Sequence, residues 1–279
     1  MGGSVGLALQ AAGYRGQLVA LARDPSDAEA AVGAGAVHEG FTRVEDLPAG
    51  IQLFCLAVPL SAMPQVLRQL APRLTDAEVI VTDVGSVKVP VVTAAAGIMP
   101  HPGNYVGAHP MAGFRQRGVT FARADLFHGV HVILTPVSAT HKRALEVIRS
   151  MWSIVHGHVT TMSPVQHDEL IARVSHLPHV SAALLLLEAA REEGLSVAGT
   201  GLLDVTRVAS RDAWLWQDIL VSNREQVREA IGRLIEDLRR VDTWLERHED
   251  GNIGRLLQRA AQIRDEWVAS KFEHPDWID

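Results

Sequence analysis

The chain has 279 residues, 47% hydrophobic and 21% charged, enough apolar content for one large domain or two ordinary ones. Its net charge of −6, from 32 acidic against 26 basic residues, excludes a general attraction to nucleic acid or anionic membrane, so any anion site must be a local basic cluster. A single cysteine excludes an internal disulfide; Cys55 lies in the apolar run 51–59, reads as a small buried hydrophobe, and fits a reducing, cytoplasmic setting.

No uninterrupted apolar run reaches the roughly 18–20 residues of a membrane span, and Met1-Gly2-Gly3-Ser4 has no basic region ahead of an apolar core, so neither a membrane anchor nor a signal peptide is expected. The opening string Gly2-Gly3-Ser4-Val5-Gly6-Leu7-Ala8 reads as the first helix of a dinucleotide-binding unit whose leading strand and first two fingerprint glycines are absent. The expectation is that a native start lies upstream; the alternative is genuine loss of a strand that is costly to lose, because central parallel strands bond to both neighbours.

Strands are predicted at 17–22, 51–58, 78–83, 105–108 and 131–135, with helices at 25–33, 61–74 and 88–96 between them. Apolar strands alternating with helices imply a mostly parallel sheet covered on both faces. A helix over 139–155 and a strand at 158–161 close this Rossmann-like α/β domain at residue 162. Ser163-Pro164-Val165-Gln166 then sets out a capping serine, a first-turn proline and a glutamine at the third helical position. A long helix is expected from there toward Gly194, disturbed at Pro178. Residues 211–221 read as a helix. Beyond Asn223, Val227, Ile231, Leu234, Ile235, Leu238, Val241 and Leu245 recur at steps of three and four, one face of another helix, with Gly251 as its stop and a last helix at 255–272. The fold class is thus an α/β domain over 1–162 and an all-α domain over 163–279.

Chemistry is sought beyond the carboxyl ends of the strands, where open parallel sheets bind ligands. The second strand of the unit ends Ala22-Arg23-Asp24. An uncharged tip followed by Arg23 offers a bidentate partner to a ribose 2′-phosphate, which favours NADP over NAD; the alternative is a solvated Arg23 with Asp24 as the tip residue. Val58-Pro59 ends one strand, and Asp83-Val84-Gly85-Ser86 the next; Gly85 permits a tight turn, and Ser86 either caps the following helix or serves the site. His109 falls on the same rim, within reach of a hydrogen bond to Ser86, as a base for a hydroxyl proton or as a structural histidine. In the helical part, His176 and His179 share a helix face and are candidates for an anionic substrate, while His167, nine residues before His176, falls on the opposite side of a straight helix. No metal site is expected from these histidines. Arg207 precedes a helix rich in tryptophan and either clamps a carboxylate or pairs with Asp204 or Asp212.

Read together, these strings resemble the prephenate/arogenate dehydrogenase family. The segments that carry the resemblance are 82–88 (Thr-Asp-Val-Gly-Ser-Val-Lys), 107–113 (Gly-Ala-His-Pro-Met-Ala-Gly), 124–127, 132–136, His167-Asp168, 174–179 (Val-Ser-His-Leu-Pro-His), 204–210 (Asp-Val-Thr-Arg-Val-Ala-Ser) and 216–219. The resemblance implies a dinucleotide-binding domain followed by a helical dimerisation domain, and a homodimer. It implies that Gly2 is the third fingerprint glycine, His109 the catalytic histidine, Ser86 its neighbour, Arg207 the substrate-binding arginine, and His176 and His179 residues near the substrate. The implied reaction is oxidative decarboxylation with hydride transfer to NADP or NAD: His109 draws the C4 hydroxyl proton, hydride leaves C4 and carbon dioxide leaves C1.

The string Phe114-Arg115-Gln116-Arg117-Gly118 departs from the family pattern and adds positive charge near the expected site; Leu203 stands where members often carry a basic residue. The broken glycine fingerprint leaves a second reading, a non-catalytic dimeric relative. A third, another two-domain hydroxyacid or imine oxidoreductase, expects a lysine on the first long helix, and 163–194 contains none.

Overall fold

The computed structural model describes residues 1–113, 116 and 118–272; Phe114, Arg115 and Arg117 lie outside the described residues. The chain forms two compact units, Met1–Asn223 and Arg224–Asp279. The first holds a five-stranded sheet of order β3 (Leu53–Leu56), β4 (Ile80–Asp83), β5 (Tyr105–Pro110), β6 (His131–Thr135), β7 (His158–Thr161). All its neighbours are parallel except β5 and β6. A separate two-stranded parallel sheet joins β1 (Val19–Leu21) to β2 (Glu39–Phe41). No strand is predicted at β2, because Glu-Gly-Phe has neither the length nor the alternation of one.

β4 and β5 are buried at every residue, as expected of strands covered on both faces. One core cluster joins Val5, Ala8 and Leu9 of α1 (Gly2–Ala11) to Ile80, Val106 and Leu134 of the sheet and to Ile148 and Trp152 of α5 (Lys142–Ile154). The other buries Met63, Leu67 and Leu70, one face of α3 (Met63–Leu70), with Val91 and Ala95 of α4 (Val89–Ile98). α2 (Pro25–Gly33) starts on its first-turn proline and packs on β2.

α6 (Pro164–Ile171) begins at the expected capping box: Ser163 Oγ accepts from Gln166 N at 3.2 Å, and Gln166 Oε1 accepts from Ser163 N at 3.1 Å. The expected single helix is interrupted earlier than Pro178. Residues Ala172–His176 form a π-helical turn, and α7 (Leu177–Ala189) follows, with Pro178 tolerated in its first turn. The wider turn changes the angular spacing, so the straight-helix argument that set His167 opposite His176 does not hold. By length and composition alone the composite helix Pro164–Ala189 is long and apolar enough to cross a membrane. A 3₁₀ segment (Arg191–Val197), α8 (Thr200–Thr206), a 3₁₀ turn (Arg207–Ser210) and α9 (Ala213–Ser222) complete the unit. Ile219 of α9 enters the core cluster formed with α3 and α4.

The second unit consists of α10 (Arg224–Glu246) packed on α11 (Asp250–Phe272). Gly251 does not stop α10. It lies in the first turn of α11, and the chain reverses at His248, whose φ is 55°. Ile235, Leu238 and Leu245 of α10 and Leu257 and Trp267 of α11 are exposed.

The tightest backbone approach of α1 falls one turn after Gly2. A Cβ on Gly6 would lie 2.0 Å from the carbonyl oxygen of Ala36, whereas one on Gly2 would lie 2.9 Å from the Ala57 Cβ. Gly6→Ala is therefore expected to destabilise the fold by about 1–3 kcal/mol. Gly97→Ala, in open space within α4, is the control and should be neutral or stabilising by up to ~1 kcal/mol. Urea unfolding of both variants checks this.

Candidate active site

The site is built on the carboxyl end of β4. Asp83 is buried and its two oxygens accept from Gly85 N (2.8 Å), Tyr105 Oη (2.7 Å) and Ala108 N (3.2 Å), and from the ammonium of Lys88. Lys88, also fully buried, donates in addition to Ala108 O at 2.7 Å. Burial pulls the Lys88 ammonium below its ordinary value, and the Asp83 carboxylate opposes that shift. The pair pins the backbone immediately before His109, which projects from β5. Removing one partner of such a pair strands the other as a buried charge.

From the helical side, Asp168 of α6 accepts from the first amides of α4: Oδ1 from Lys88 N and Oδ2 from Val89 N, both at 2.8 Å. This carboxylate does the work expected of Ser86. The N-cap residue of α4 is Lys88, with no side-chain cap of its own, and Ser86 is half-buried with no side-chain hydrogen bond among the described residues. The expected Ser86–His109 bond is likewise not formed. His109 Nδ1 instead meets His167 Nε2 at 2.8 Å, and His167 Nδ1 meets Asp168 Oδ1 at 2.7 Å.

His176 and Asn223 extend the cluster. Asn223 Nδ2 lies 2.8 Å from the Asp168 carbonyl oxygen, which only accepts, so the amide nitrogen is fixed as a donor there; the same nitrogen lies 3.2 Å from His176 Nδ1. His176 Nδ1 therefore accepts and its Nε2–H donates. That Nε2 is buried and has no hydrogen-bond partner among the described residues, and the same holds for Nδ1 of His179. His179 stacks on Trp216 of α9 with centroids 3.6 Å apart and planes 4° from parallel. Two buried imidazole nitrogens without partners are costly unless a ligand satisfies them.

All four histidines are held below their ordinary value. For His109 burial dominates, with His167, Lys88 and His176 adding to it. His167 is lowered by burial against the pull of Asp168. Burial lowers His176 to about 4, and burial with the charge of Arg211 lowers His179. Cys55 behaves as an inert thiol, pushed up to about 12 by burial and then by Asp83.

The other expected residues are distributed as follows. A Cβ on Gly85 would meet Leu60 Cδ2 at 2.8 Å, so Gly85 and the turn after Val58 and Pro59 adjoin, and Gly2 lies against Ala57 at the start of that turn. These close, side-chain-free approaches suit a dinucleotide at the ends of β3 and β4. Arg23 follows β1 with its side chain 91% exposed, and its Nε lies 3.1 Å from Asp24 Oδ2. Arg207 is exposed in a 3₁₀ turn that packs on α7, and Asp212 caps α9 through Leu215 N. The sequence reading did not assign roles to Lys88, Asp168, Asn223, Trp216 or Arg211. The string His167-Asp168 and the five-residue step from Asp83 to Lys88 were the available signals.

A mostly parallel α/β sheet with glycine-lined turns at its strand ends, closed by helices that bring buried histidines to that rim, defines a two-domain nicotinamide-dependent dehydrogenase. Residues 5–161 match the family model "Prephenate dehydrogenase, nucleotide-binding domain", and residues 163–259 match "Prephenate dehydrogenase, dimerization domain". The prephenate dehydrogenase of Bacillus subtilis is 30% identical over 95% of this chain and 73% of its own length. The structure of the Aquifex aeolicus prephenate dehydrogenase with hydroxyphenyl propionate and NAD+ superposes with a TM-score of 0.87 at 30% identity, covering 95% of this chain and 93% of that one. The Synechocystis arogenate dehydrogenase superposes with a TM-score of 0.83 at 26% identity, covering 95% and 96%. The chain belongs to the prephenate dehydrogenase family, the dehydrogenases of tyrosine biosynthesis.

The histidine cluster has a consequence for stability. Each of the four titrates lower in the folded chain than at the unfolded value of 6.5, so below that pH the unfolded chain binds more protons. Stability should therefore fall with acidification, from about pH 6.5 down to about 4 for His176, by up to ~1.4 kcal/mol per pH unit for each histidine. Thermal melts across this range should show the decline, and His176→Gln should make it shallower.

Proposed function

We propose that the chain oxidatively decarboxylates prephenate or arogenate as a cytoplasmic homodimer, with residues 1–162 holding the cofactor and 163–279 supplying substrate and subunit contacts. The observation that carries this reading is His109: a buried imidazole kept neutral, near His176, whose Nε2–H has no partner among the described residues. A neutral imidazole at that rim accepts the C4 hydroxyl proton of the substrate. The Nε2–H of His176 suits a substrate oxygen, and the exposed guanidinium of Arg207 suits the clamping of a carboxylate. Ser86, with no side-chain hydrogen bond among the described residues, offers its hydroxyl to the same site.

Gly2, Val58, Pro59 and Gly85 would hold the dinucleotide, which supplies the hydride acceptor when bound. Arg23 supports NADP as the preferred form, since its guanidinium is exposed and among the described residues meets only the adjacent Asp24. NAD is the second reading, supported by that same Asp24 contact and by the NAD+ in the Aquifex aeolicus enzyme. The exposed apolar residues of α7 (Leu184, Leu185, Leu187) and, in the other unit, of α10 support subunit contact, since each set would otherwise stand open to water.

Reduction of NADP and of NAD, followed by absorbance with prephenate and with arogenate, tests this. One pair should turn over. His109→Asn should lower kcat by about 10²–10⁴-fold, and Arg207→Ala should raise KM for the substrate by about tenfold or more. Absence of reduction with every pair would overturn the reading in favour of a non-catalytic relative. In the same assay, Arg23→Ala should raise KM for NADP by about tenfold and leave NAD unaffected; an equal change for both would make NAD the cofactor.

A further inference from the structure

A base is defined by which nitrogen carries its lone pair, and the structure contains the connections that decide this for His109. Both oxygens of Asp168 face amide N–H groups, Lys88 N and Val89 N, which only donate. The carboxylate is therefore an acceptor at both ends, and His167 Nδ1, 2.7 Å from Oδ1, must carry a hydrogen. A neutral imidazole protonated at Nδ1 has its lone pair at Nε2. His109 Nδ1, 2.8 Å from that Nε2, must then be the donor, which leaves the lone pair of His109 on its own Nε2.

We propose that Asp168 and His167 are positioning residues that hold His109 as the Nδ1–H tautomer, so that its Nε2 is the proton acceptor. This deepens the reading of His109 as the base and rests on it. When the substrate O–H bond breaks and an Nε2–H bond forms on His109, the new positive charge sits in a buried place near the Lys88 ammonium. The relay answers that cost: the Nδ1–H of His109 is shared with His167 and, through it, with the Asp168 carboxylate. The same wiring gives an off state. A protonated His167 donates from Nε2, forces the hydrogen of His109 onto its Nε2, and removes the base. The charged or titratable groups facing this pair are Asp83 and Lys88 from β4 and the start of α4, Asp168 from α6 and His176 from the π turn.

The test uses the full-length protein with ¹⁵N-labelled histidine. The signals of His109, one of 13 histidines, are assigned by their loss in His109→Asn. At neutral pH, without substrate or cofactor, His109 should show a protonated Nδ1 and an unprotonated Nε2. His167→Leu removes the acceptor, should allow the Nε2–H tautomer, and should lower kcat by about 10²-fold or more with KM little changed. His167→Gln presents a carbonyl to His109 and an N–H to Asp168 and cannot be charged, so it should restore the Nδ1–H signal and recover most of that loss. Its kcat should also lose the acid limb that the wild type owes to His167 protonation. An Nε2–H tautomer of His109 in the wild type overturns the relay, as does a His167→Leu variant with wild-type kcat and pH profile. Full activity of His109→Asn would instead remove the underlying reading of the base, while the nitrogen signals would still report on the relay.

Discussion

The Asp168 carboxylate is the joint on which the first unit depends. Its two oxygens close off the start of α4, whose first amides have no other side-chain cap, and one of them also orients His167. A helix N-terminus presents unsatisfied N–H groups and partial positive charge, so a carboxylate from another segment is held there by both hydrogen bonds and field. The consequence is geometric: α6 cannot shift against α4 without breaking two hydrogen bonds from backbone N–H groups, and the histidine at its side is fixed relative to β5.

A second buried pair works from the sheet side. Lys88 and Asp83 neutralise each other at the end of β4, and each also bonds the backbone of Ala108. Their ion pair gives little net stability once desolvation is counted. What it provides is position, since Ala108, the residue before His109, is held through both its N–H and its carbonyl. Lys88 thus meets both carboxylates, Asp83 through its side chain and Asp168 through its amide. One residue couples the strand that carries His109 to the helix that carries His167.

The site is left with nitrogen atoms that no described residue satisfies. His176 Nε2 and His179 Nδ1 lie buried without partners among the described residues, while the Asn223 amide nitrogen meets His176 and the Trp216 ring stacks on His179. Keeping four imidazoles neutral in a low-dielectric place costs acid stability. In return, the rim presents hydrogen-bond donors and a base without a competing positive charge on the imidazoles themselves.

Much of this was legible in the sequence. Six of the seven strands followed from apolar runs, and the start of α6 followed from Ser163, Pro164 and Gln166, because local chemistry alone decides a capping box. The class of reaction was legible too, since the order of short strings around His109, His176 and Arg207 carries the family. What the sequence could not decide was which groups share hydrogen bonds across 80 residues of chain, as Lys88 and Asp168 do. Ser86 looked like the cap because it was the nearest hydroxyl, and the true partner came from another helix. His167 looked misplaced because a periodicity of 3.6 assumes an α-helix throughout, and a π turn breaks that assumption. The residue types and their order set the chemistry available; the packing of α6 against α4 and β5 decided which nitrogen of which histidine is turned toward the site.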